Sequence, residues 1–345
     1  MEYRKGDWKM TKWIDKELLD RRVILQQSAS REHLPEYAVE KDWWVSMTLK
    51  ALFNTSCKDY LEFKGGTSLS KGWHLIDRFS EDIDVALNYR FFVPQLDNNT
   101  QLKNLRKKSR KFIIDALAED LYAQMKALGL SGYEVKPEIA DEAGNPISSD
   151  ADPTVVYVNY PSVSSDSSPY VPSRVKIEVS CLSMDEPFEM RTISSIISEH
   201  FPEDDDATEC TIPVVLPSRT FLEKAFLLNE EYQKPAPRSL RMTRHLYDLE
   251  KLMDTDFGKL ALSDMELYGR IVEHRRKFYH VGYADYGKDY PEAIEFIPPE
   301  RCIKQWEADY AEMQEHFVYG KHLSFDNLLK RISELQDRFR TLGQE

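Results

Sequence analysis

The chain has 345 residues, 41% of them hydrophobic, which is typical of a folded globular protein of two domains and not of a disordered chain. Its 46 basic and 59 acidic residues give a net charge of −13, which excludes a general nucleic-acid coating protein, although a local basic cluster could still bind RNA or a nucleotide. No apolar run approaches the roughly 20 residues that a membrane-spanning helix needs, so we expect no membrane segment.

The N-terminal segment and the cysteines indicate a cytoplasmic protein. The N-terminus is charged and aromatic and lacks the apolar core of a secretory signal. The four cysteines, Cys57, Cys181, Cys210 and Cys302, lie far apart and include no Cys-x-x-Cys pair. We therefore expect reduced thiols and no zinc site.

Helices and short strands alternate in the first part of the chain. Apolar residues recur about once per helical turn over residues 34–53, which predicts a helix. Residues 60–65 predict a short strand that ends at a glycine, and residues 67–77 predict a helix that begins at a Thr or Ser cap. Asp82–Leu87 predicts a strand with its two aspartates on one face.

A long polar helix is predicted next, followed by more strands. The helix covers about 99–128, and two or three strands follow within 133–139, 154–160 and 174–180, with another within 207–217. Residues 161–173, rich in Ser and Pro, predict a loop. From 218 onward the pattern is almost entirely helical, with an interruption near 279–292. We therefore predict an α+β fold, with a mixed β-sheet domain flanked by helices (1–216) and a C-terminal helical domain (217–345).

A pair of glycines follows the first predicted strand, in the stretch KGGTSLSKGW. Gly65 and Gly66 allow a tight turn and a close approach of the backbone to a ligand. The free amides at the start of the next helix would face that ligand, and the helix dipole favours an anion there. The hydroxyls of Thr67 and Ser70 and the ammonium of Lys71 are the candidate side chains for binding phosphate.

Two aspartates on one strand add a candidate metal site. Asp82 and Asp84 project from the same face, and two adjacent carboxylates repel unless a cation lies between them. Magnesium prefers such oxygen ligands alongside substrate phosphates. Glu178, on a later predicted strand, is the candidate third acid of a two-metal arrangement. A lone Gly-Gly-Thr is usually only a turn, and a lone Asp-x-Asp is usually a solvated strand edge, but their combination with Glu178 favours metal-dependent nucleotidyl transfer.

These motifs together resemble the minimal nucleotidyltransferases of the DNA polymerase beta superfamily, above all the AbiEii/AbiGii-like toxin branch of type IV toxin–antitoxin systems. The similarity covers roughly residues 35–255, about two-thirds of the chain. The pieces that carry it, in order, are EKDWW, FKGGTSLSKGW, RFSEDIDVAL, KIEV, LEKAFLL and RHLYDLEKLM.

The resemblance implies roles for individual residues and for partners. Gly65, Gly66 and Thr67 would hold the nucleotide phosphates, and Asp82 and Asp84 would bind Mg²⁺. In the helical part, Lys224 would contact the triphosphate, and Asp248 would support the same site. The implied activity is transfer of a nucleoside monophosphate from an NTP to a tRNA 3′ end or a protein hydroxyl, by a toxin that a cognate antitoxin restrains. Family members commonly carry an arginine downstream of the lysine, whereas this chain has LLNEEYQK, so the nucleobase is not specified.

Several residues have a simpler structural interpretation. Lys224 could be a solvated residue of an amphipathic helix, and Asp248 could pair with an arginine of its own helix, where Arg241, Arg244 and His245 share its face. His74 is expected to pack or cap. The basic segments 103–111 and 274–280 could be solvated faces or could contact an RNA backbone.

Two other function classes remain open from the sequence. One is a nucleotide-binding regulatory protein without catalysis, and the other is a nucleotidyltransferase that modifies an antibiotic. NTP binding without pyrophosphate release would favour the first, and a screen of acceptors would identify the second.

Overall fold

The computed structural model describes residues 11–96, 98–166, 171–279 and 282–342. Within them, seven strands form one mixed sheet in the order β3-β4-β5-β2-β1-β7-β6. The strands are β1 (Leu61–Lys64), β2 (Asp82–Leu87), β3 (Glu134–Pro137), β4 (Thr154–Asn159), β5 (Arg174–Ser180), β6 (Phe188–Ile193) and β7 (Cys210–Val215).

Helices flank this sheet and make up the C-terminal part of the described chain. They are α1 (Leu18–Glu32), α2 (Glu36–Leu52), α3 (Gly65–Thr67), α4 (Asn99–Phe112), α5 (Ala118–Ala127), α6 (Ile196–His200), α7 (Pro217–Tyr232), α8 (Thr243–Leu252), α9 (Asp256–Ser263), α10 (Met265–Phe278), α11 (Ile303–His316) and α12 (Phe325–Arg340). The predicted α+β class with a mixed sheet is confirmed. None of the described helices is both long and apolar enough to cross a bilayer.

The centre of the sheet determines which side chains meet. Strand β2 lies between β1, to which it is antiparallel, and β5, to which it is parallel. Ile83 and Val85 point into the buried core, whereas Asp82 and Asp84 lie on the half-exposed opposite face. This alternation follows from the two-residue period of a strand and agrees with the sequence prediction.

The first hydrophobic core lies between the sheet and helices α1, α2 and α5. Helix α2 is buried along most of its length, including the charged residues of the EKDWW motif. Each of these has a partner, because a buried charge is costly unless it is paired. Glu40 accepts from the backbone N–H of Val163 at 2.8 Å, Lys41 pairs with Glu81, and Asp42 pairs with Lys71.

The second core is formed mainly by α7–α12 and includes large buried side chains such as Phe221, Trp306 and Phe339. Leu69 and Ile76, from the segment between β1 and β2, also belong to it, so the two parts of the chain pack together around the Gly-Gly segment. The division at residue 216 remains a prediction.

Two elements differ from the sequence prediction. The helix expected over 67–77 instead begins at Gly65 and ends in a π-helical turn at Ser68–Gly72, with no side-chain cap, and His74 takes a left-handed conformation with φ of 52°. Thr67 does not cap because its hydroxyl donates to the backbone oxygen of Asp82 at 2.5 Å. Strand β6 was not predicted, since as an edge strand it exposes alternate apolar residues and shows no clear pattern.

Parts of two predicted segments lie outside the described residues. Residues 167–170 of the predicted loop 161–173 and His280 of the basic segment 274–280 are not among the described residues. The predicted long helix over 99–128 is present as α4 and α5, joined by a π-helical turn at Ile113–Leu117.

Candidate active site

A cleft of about 700 Å³ lies between the half-exposed face of the sheet and helices α7 and α8. The sheet contributes the acids Asp82, Asp84 and Glu178 to its lining, and the helices contribute Lys224 and Arg244. Residues from both parts of the chain therefore face the same cleft.

The three predicted acids lie together because of strand register. In the parallel pairing of β2 with β5, Asp84 is opposite Glu178 and Asp82 is opposite Lys176. Residues two apart on a strand share a face, so all four side chains project from the same side. Glu178 pairs with Lys176, and both are partly exposed.

Asp84 is the most perturbed of these acids. Burial, reinforced by the negative charges of Glu178 and Asp82, raises its pKa to about 7. The ammonium of Lys64, opposite Asp84 on β1, acts in the other direction. The positive charge around Asp84 is therefore too small to offset the burial and the repulsion that disfavour its ionised form.

The acids fit a magnesium ion that is bound jointly by protein and substrate. Among the described residues, no group of three or more His, Cys, Asp or Glu side chains forms a complete metal cage. Magnesium keeps several waters, however, and is commonly bound by one or two carboxylates together with substrate phosphates. A cation beside Asp84 would offset the burial and repulsion that raise its pKa. The residues therefore suit a magnesium–nucleotide complex better than a bare ion.

The glycine pair is packed directly against these acids. Gly65 has φ of +83°, and a Cβ at this position would collide with the carboxylate of Asp84. At Gly66 a Cβ would lie 2.6 Å from a guanidinium nitrogen of Arg78 and 2.9 Å from the Ser80 hydroxyl. Only glycine therefore allows this backbone to approach Asp84 so closely.

The three polar residues that follow the glycines do not line the cleft. The hydroxyl of Thr67 donates to the backbone oxygen of Asp82 and lies 2.9 Å from the Ser80 hydroxyl, which can donate to it, and the hydroxyl of Ser70 donates to the backbone oxygen of Thr67 at 3.1 Å. Lys71 forms an ion pair with Asp42 at 2.5 Å. The geometry gives these side chains structural partners, so it does not support the predicted phosphate contacts of the side chains of Thr67, Ser70 and Lys71.

Asp248 joins the two sides of the cleft. It accepts two hydrogen bonds from Arg78, at 2.7 and 2.8 Å, and pairs with Lys224 at 2.8 Å. These two cations hold the pKa of Asp248 well below its usual value, although burial acts in the opposite direction. Burial and the charge of Arg78 lower the pKa of Lys224 despite its pairing with Asp248. Within the described residues, the partners of Asp248 are Arg78 and Lys224 and not an arginine of its own helix.

Two arginines that line the cleft have unpaired donors. The Nε atoms of Arg244 and Arg106 are buried and have no hydrogen-bond partner among the described residues. Burial and the nearby Arg78 and Arg241 lower the pKa of Arg244, while Asp82 and Asp84 raise it. The sequence placed Arg244 on the same helical face as Asp248, but no local pattern separated Arg106 from its basic neighbours.

The two basic segments are partly structural. In 103–111, Arg106 lines the cleft and Arg110 donates to the backbone oxygen of Glu138 at 3.0 Å, whereas Lys103, Lys107 and Lys108 are exposed. In the described part of 274–280, the buried Arg275 pairs with Glu230 at 2.7 Å. Of the two segments, the one on α4 therefore presents more free positive charge.

Comparison with known proteins gives one family match. The family model described as "Nucleotidyl transferase AbiEii toxin, Type IV TA system" matches residues 48–331. No curated protein matches the chain. Among solved structures, the chain is similar to MenT4, a nucleotidyltransferase toxin from Mycobacterium tuberculosis, with 17% identity and a TM-score of 0.45 over 93% of this chain and 98% of that one.

Proposed function

The chain belongs to the AbiEii family of nucleotidyltransferase toxins of type IV toxin–antitoxin systems, and we propose that it transfers a nucleoside monophosphate from an NTP to a cellular acceptor in a magnesium-dependent reaction. The observation that carries the proposal is the contact of the Gly65 turn with Asp84, whose pKa is raised to about 7 by burial beside Glu178 and Asp82. A turn whose backbone can approach a phosphate closely, next to acids with little positive charge around them, is the arrangement that a metal-bound triphosphate requires.

In this proposal Asp82 and Asp84 bind the metal, and the Gly65–Gly66 backbone orients the phosphates. Bound magnesium would neutralise phosphate charge and stabilise the departing pyrophosphate. Glu178 lies opposite Asp84 and can take the proton of the acceptor hydroxyl once Lys176 turns toward phosphate. Thr67 supports the turn through its bonds to Ser80 and Asp82 rather than by contacting phosphate.

The helical side supplies positive charge to the same cleft. Lys224 and Arg244 line it, and Asp248 holds Lys224 in place through the 2.8 Å ion pair. Lys224 would contact the triphosphate, and Asp248 is a positioning residue. In phosphoryl transfer, positioning and charge stabilisation supply most of the rate.

The acceptor and the partners belong to the proposal as well. We propose a cellular acceptor hydroxyl, on tRNA or on a protein, and a cognate antitoxin, in the cytoplasm. The exposed lysines of α4, near the cleft edge formed by Arg106, support an acceptor that carries phosphates.

The test compares the wild type with Asp84→Asn, using each labelled NTP with total cell RNA and protein. We expect label in one fraction for the wild type, and a loss of at least about 100-fold for Asp84→Asn, because a metal ligand is removed. Chelation by EDTA should abolish transfer, and added Mg²⁺ should restore it. Asp115→Asn, at an exposed helix residue whose ion pair within the described part of the chain is with Lys111, is the matched control and should retain activity. Undiminished transfer by Asp84→Asn would refute the mechanism.

A further inference from the structure

A second cavity of about 220 Å³, here called the side pocket, adjoins the cleft. Three segments line it: the loop before β2, the start of α8 with the residues preceding it, and α11. Arg78, Phe79, Leu240, Arg241 and Arg244 line both spaces. A ligand in the cleft could therefore extend into the side pocket.

The walls of the side pocket are fixed by hydrogen bonds. Asp309 of α11 accepts from the backbone N–H groups of Arg241 and Thr243, at 2.5 and 3.0 Å, and from the Thr243 hydroxyl at 2.5 Å. These bonds hold Arg241 in a left-handed conformation with φ of +57°, which is costly for a residue other than glycine. The backbone N–H of Phe79 donates to the backbone oxygen of Phe317 at 2.6 Å. These hydrogen bonds fix the positions of the backbone segments that line the pocket.

The lining combines apolar walls with two free polar groups. Phe79, Met313 and Phe317 provide aromatic or apolar surfaces, and the lining also includes Leu240, which is 74% exposed. The carboxylate of Glu312 has no hydrogen-bond or ion-pair partner among the described residues, and the buried Nε of Arg244 also has none there. Aromatic surfaces with a few polar groups are typical of sites that stack and read a nucleobase.

The other two arginines of the pocket have their partners within the protein, and Arg78 donates two hydrogen bonds to Asp248. Arg241 donates to Glu81 at 2.9 Å, and its guanidinium lies 5.6 Å from the ring centroid of Phe317. It therefore forms part of the wall. Arg244 is different, since its buried Nε has no partner among the described residues and its side chain lines both the cleft and the side pocket.

We propose that the side pocket binds the base of the NTP whose phosphates occupy the cleft, and that Glu312 selects bases that carry an exocyclic amino group. An ionised carboxylate only accepts hydrogen bonds, so it favours the amino groups of adenine, cytosine and guanine. Uracil presents carbonyl oxygens in place of an amino group, and these repel a carboxylate. This inference rests on the proposed function for the location of the phosphates, and it adds which nucleotides the site accepts.

The test is calorimetric titration of the full chain with GTP, ATP, CTP and UTP in the presence of Mg²⁺. For the wild type we expect the three amino-bearing nucleotides to bind at least about tenfold more tightly than UTP, the ratio expected for one good hydrogen-bonded contact. Glu312→Ala should weaken binding of those three by about the same factor and leave UTP nearly unchanged. Glu312→Gln, which keeps the shape and adds a donor, should improve UTP binding.

Glu315→Ala is the matched control, because Glu315 lies on α11 three residues from Glu312 but does not line the side pocket. Melting curves confirm that each variant is folded. Equal affinities for the four nucleotides, unchanged affinities in Glu312→Ala, or the same effect in Glu315→Ala would each overturn the inference. So would the absence of any NTP binding. A retained base preference without label transfer would refute the proposed function alone, whereas transfer with binding that ignores the base would refute this inference alone.

Discussion

At the scale of single residues, Asp84 is the position where the demands of folding and of the proposed chemistry conflict. It lies against the Gly65 turn and opposite Glu178, and burial beside these acids raises its pKa to about 7. A well-packed neutral side chain at this position would destabilise the folded protein less than the carboxylate does. This destabilisation is what we expect of a site that is complete only when a metal-bound nucleotide is present.

This raised pKa predicts how stability depends on pH. Between its ordinary value of 3.8 and about 7, the folded protein holds a proton on Asp84 that the unfolded chain has released. The free energy of unfolding of the metal-free protein therefore falls as pH rises through this range. Asp84→Asn removes the charge, so its melting temperature in EDTA should exceed that of the wild type by about 2 °C or more at pH 8, and by less at pH 5.

Melting curves at both pH values, with EDTA or Mg²⁺, measure this effect. At pH 8, Mg²⁺ added together with an NTP should stabilise the wild type more than it stabilises Asp84→Asn. A variant that is less stable than the wild type at pH 8, or a difference that does not depend on pH, would contradict the assignment of this pKa to Asp84.

At the scale of elements, the turn between β1 and the short helix α3 sets the distance between the phosphate-binding backbone and the acids. Lys64, the last residue of β1, is opposite Asp84, so the next residue must turn immediately in front of that carboxylate. Gly65 does so with φ of +83°. Thr67 then ties the turn to β2 through its hydroxyl.

Replacing this glycine should separate function from stability. Gly65→Ala must both strain the left-handed backbone and displace Asp84, whereas Gly144→Ala, at φ of +84° with open space around its Cβ, meets only the strain. Both variants should lose about 1 kcal/mol of stability from the backbone. Only Gly65→Ala should also lose transfer activity, by about 100-fold. Urea unfolding and label transfer measured side by side test this, and equal activity in the two variants would show that the contact with Asp84 does not matter.

At the scale of the whole molecule, buried ion pairs connect the sheet core with the helical core. Asp248 of α8 binds Arg78, which precedes β2, and Lys224 of α7. Glu186, which precedes β6, binds Arg219 of α7 at 2.6 Å with both side chains almost completely buried. The cleft lies between the parts that these pairs join, so its shape depends on them.

Removing the buried acid should destabilise the molecule more than removing an exposed acid with similar partners. Asp248→Asn leaves the buried Arg78 and Lys224 without their counter-charge and should cost about 3–5 kcal/mol. Asp254, 57% exposed, likewise pairs with two arginines, and Asp254→Asn should cost at most about 1 kcal/mol. Denaturant unfolding of both variants measures the difference. Similar losses would mean that the buried cluster does not join the two cores.

The sequence by itself determined the features that depend on neighbouring residues. The alternation of Asp82–Leu87 placed both aspartates on one face, and the glycine pair marked the turn, because strand period and backbone freedom are local properties. Helical periodicity likewise predicted the helical C-terminal part.

Only the tertiary structure decided which distant residues meet. It placed Glu178 beside Asp84, brought Arg78 to an aspartate 170 residues away, and gave Lys71 a structural partner in Asp42 instead of a place in the cleft. It also formed the side pocket from three separate segments. Such contacts depend on strand register and on the packing of two cores, and no local pattern encodes either of these.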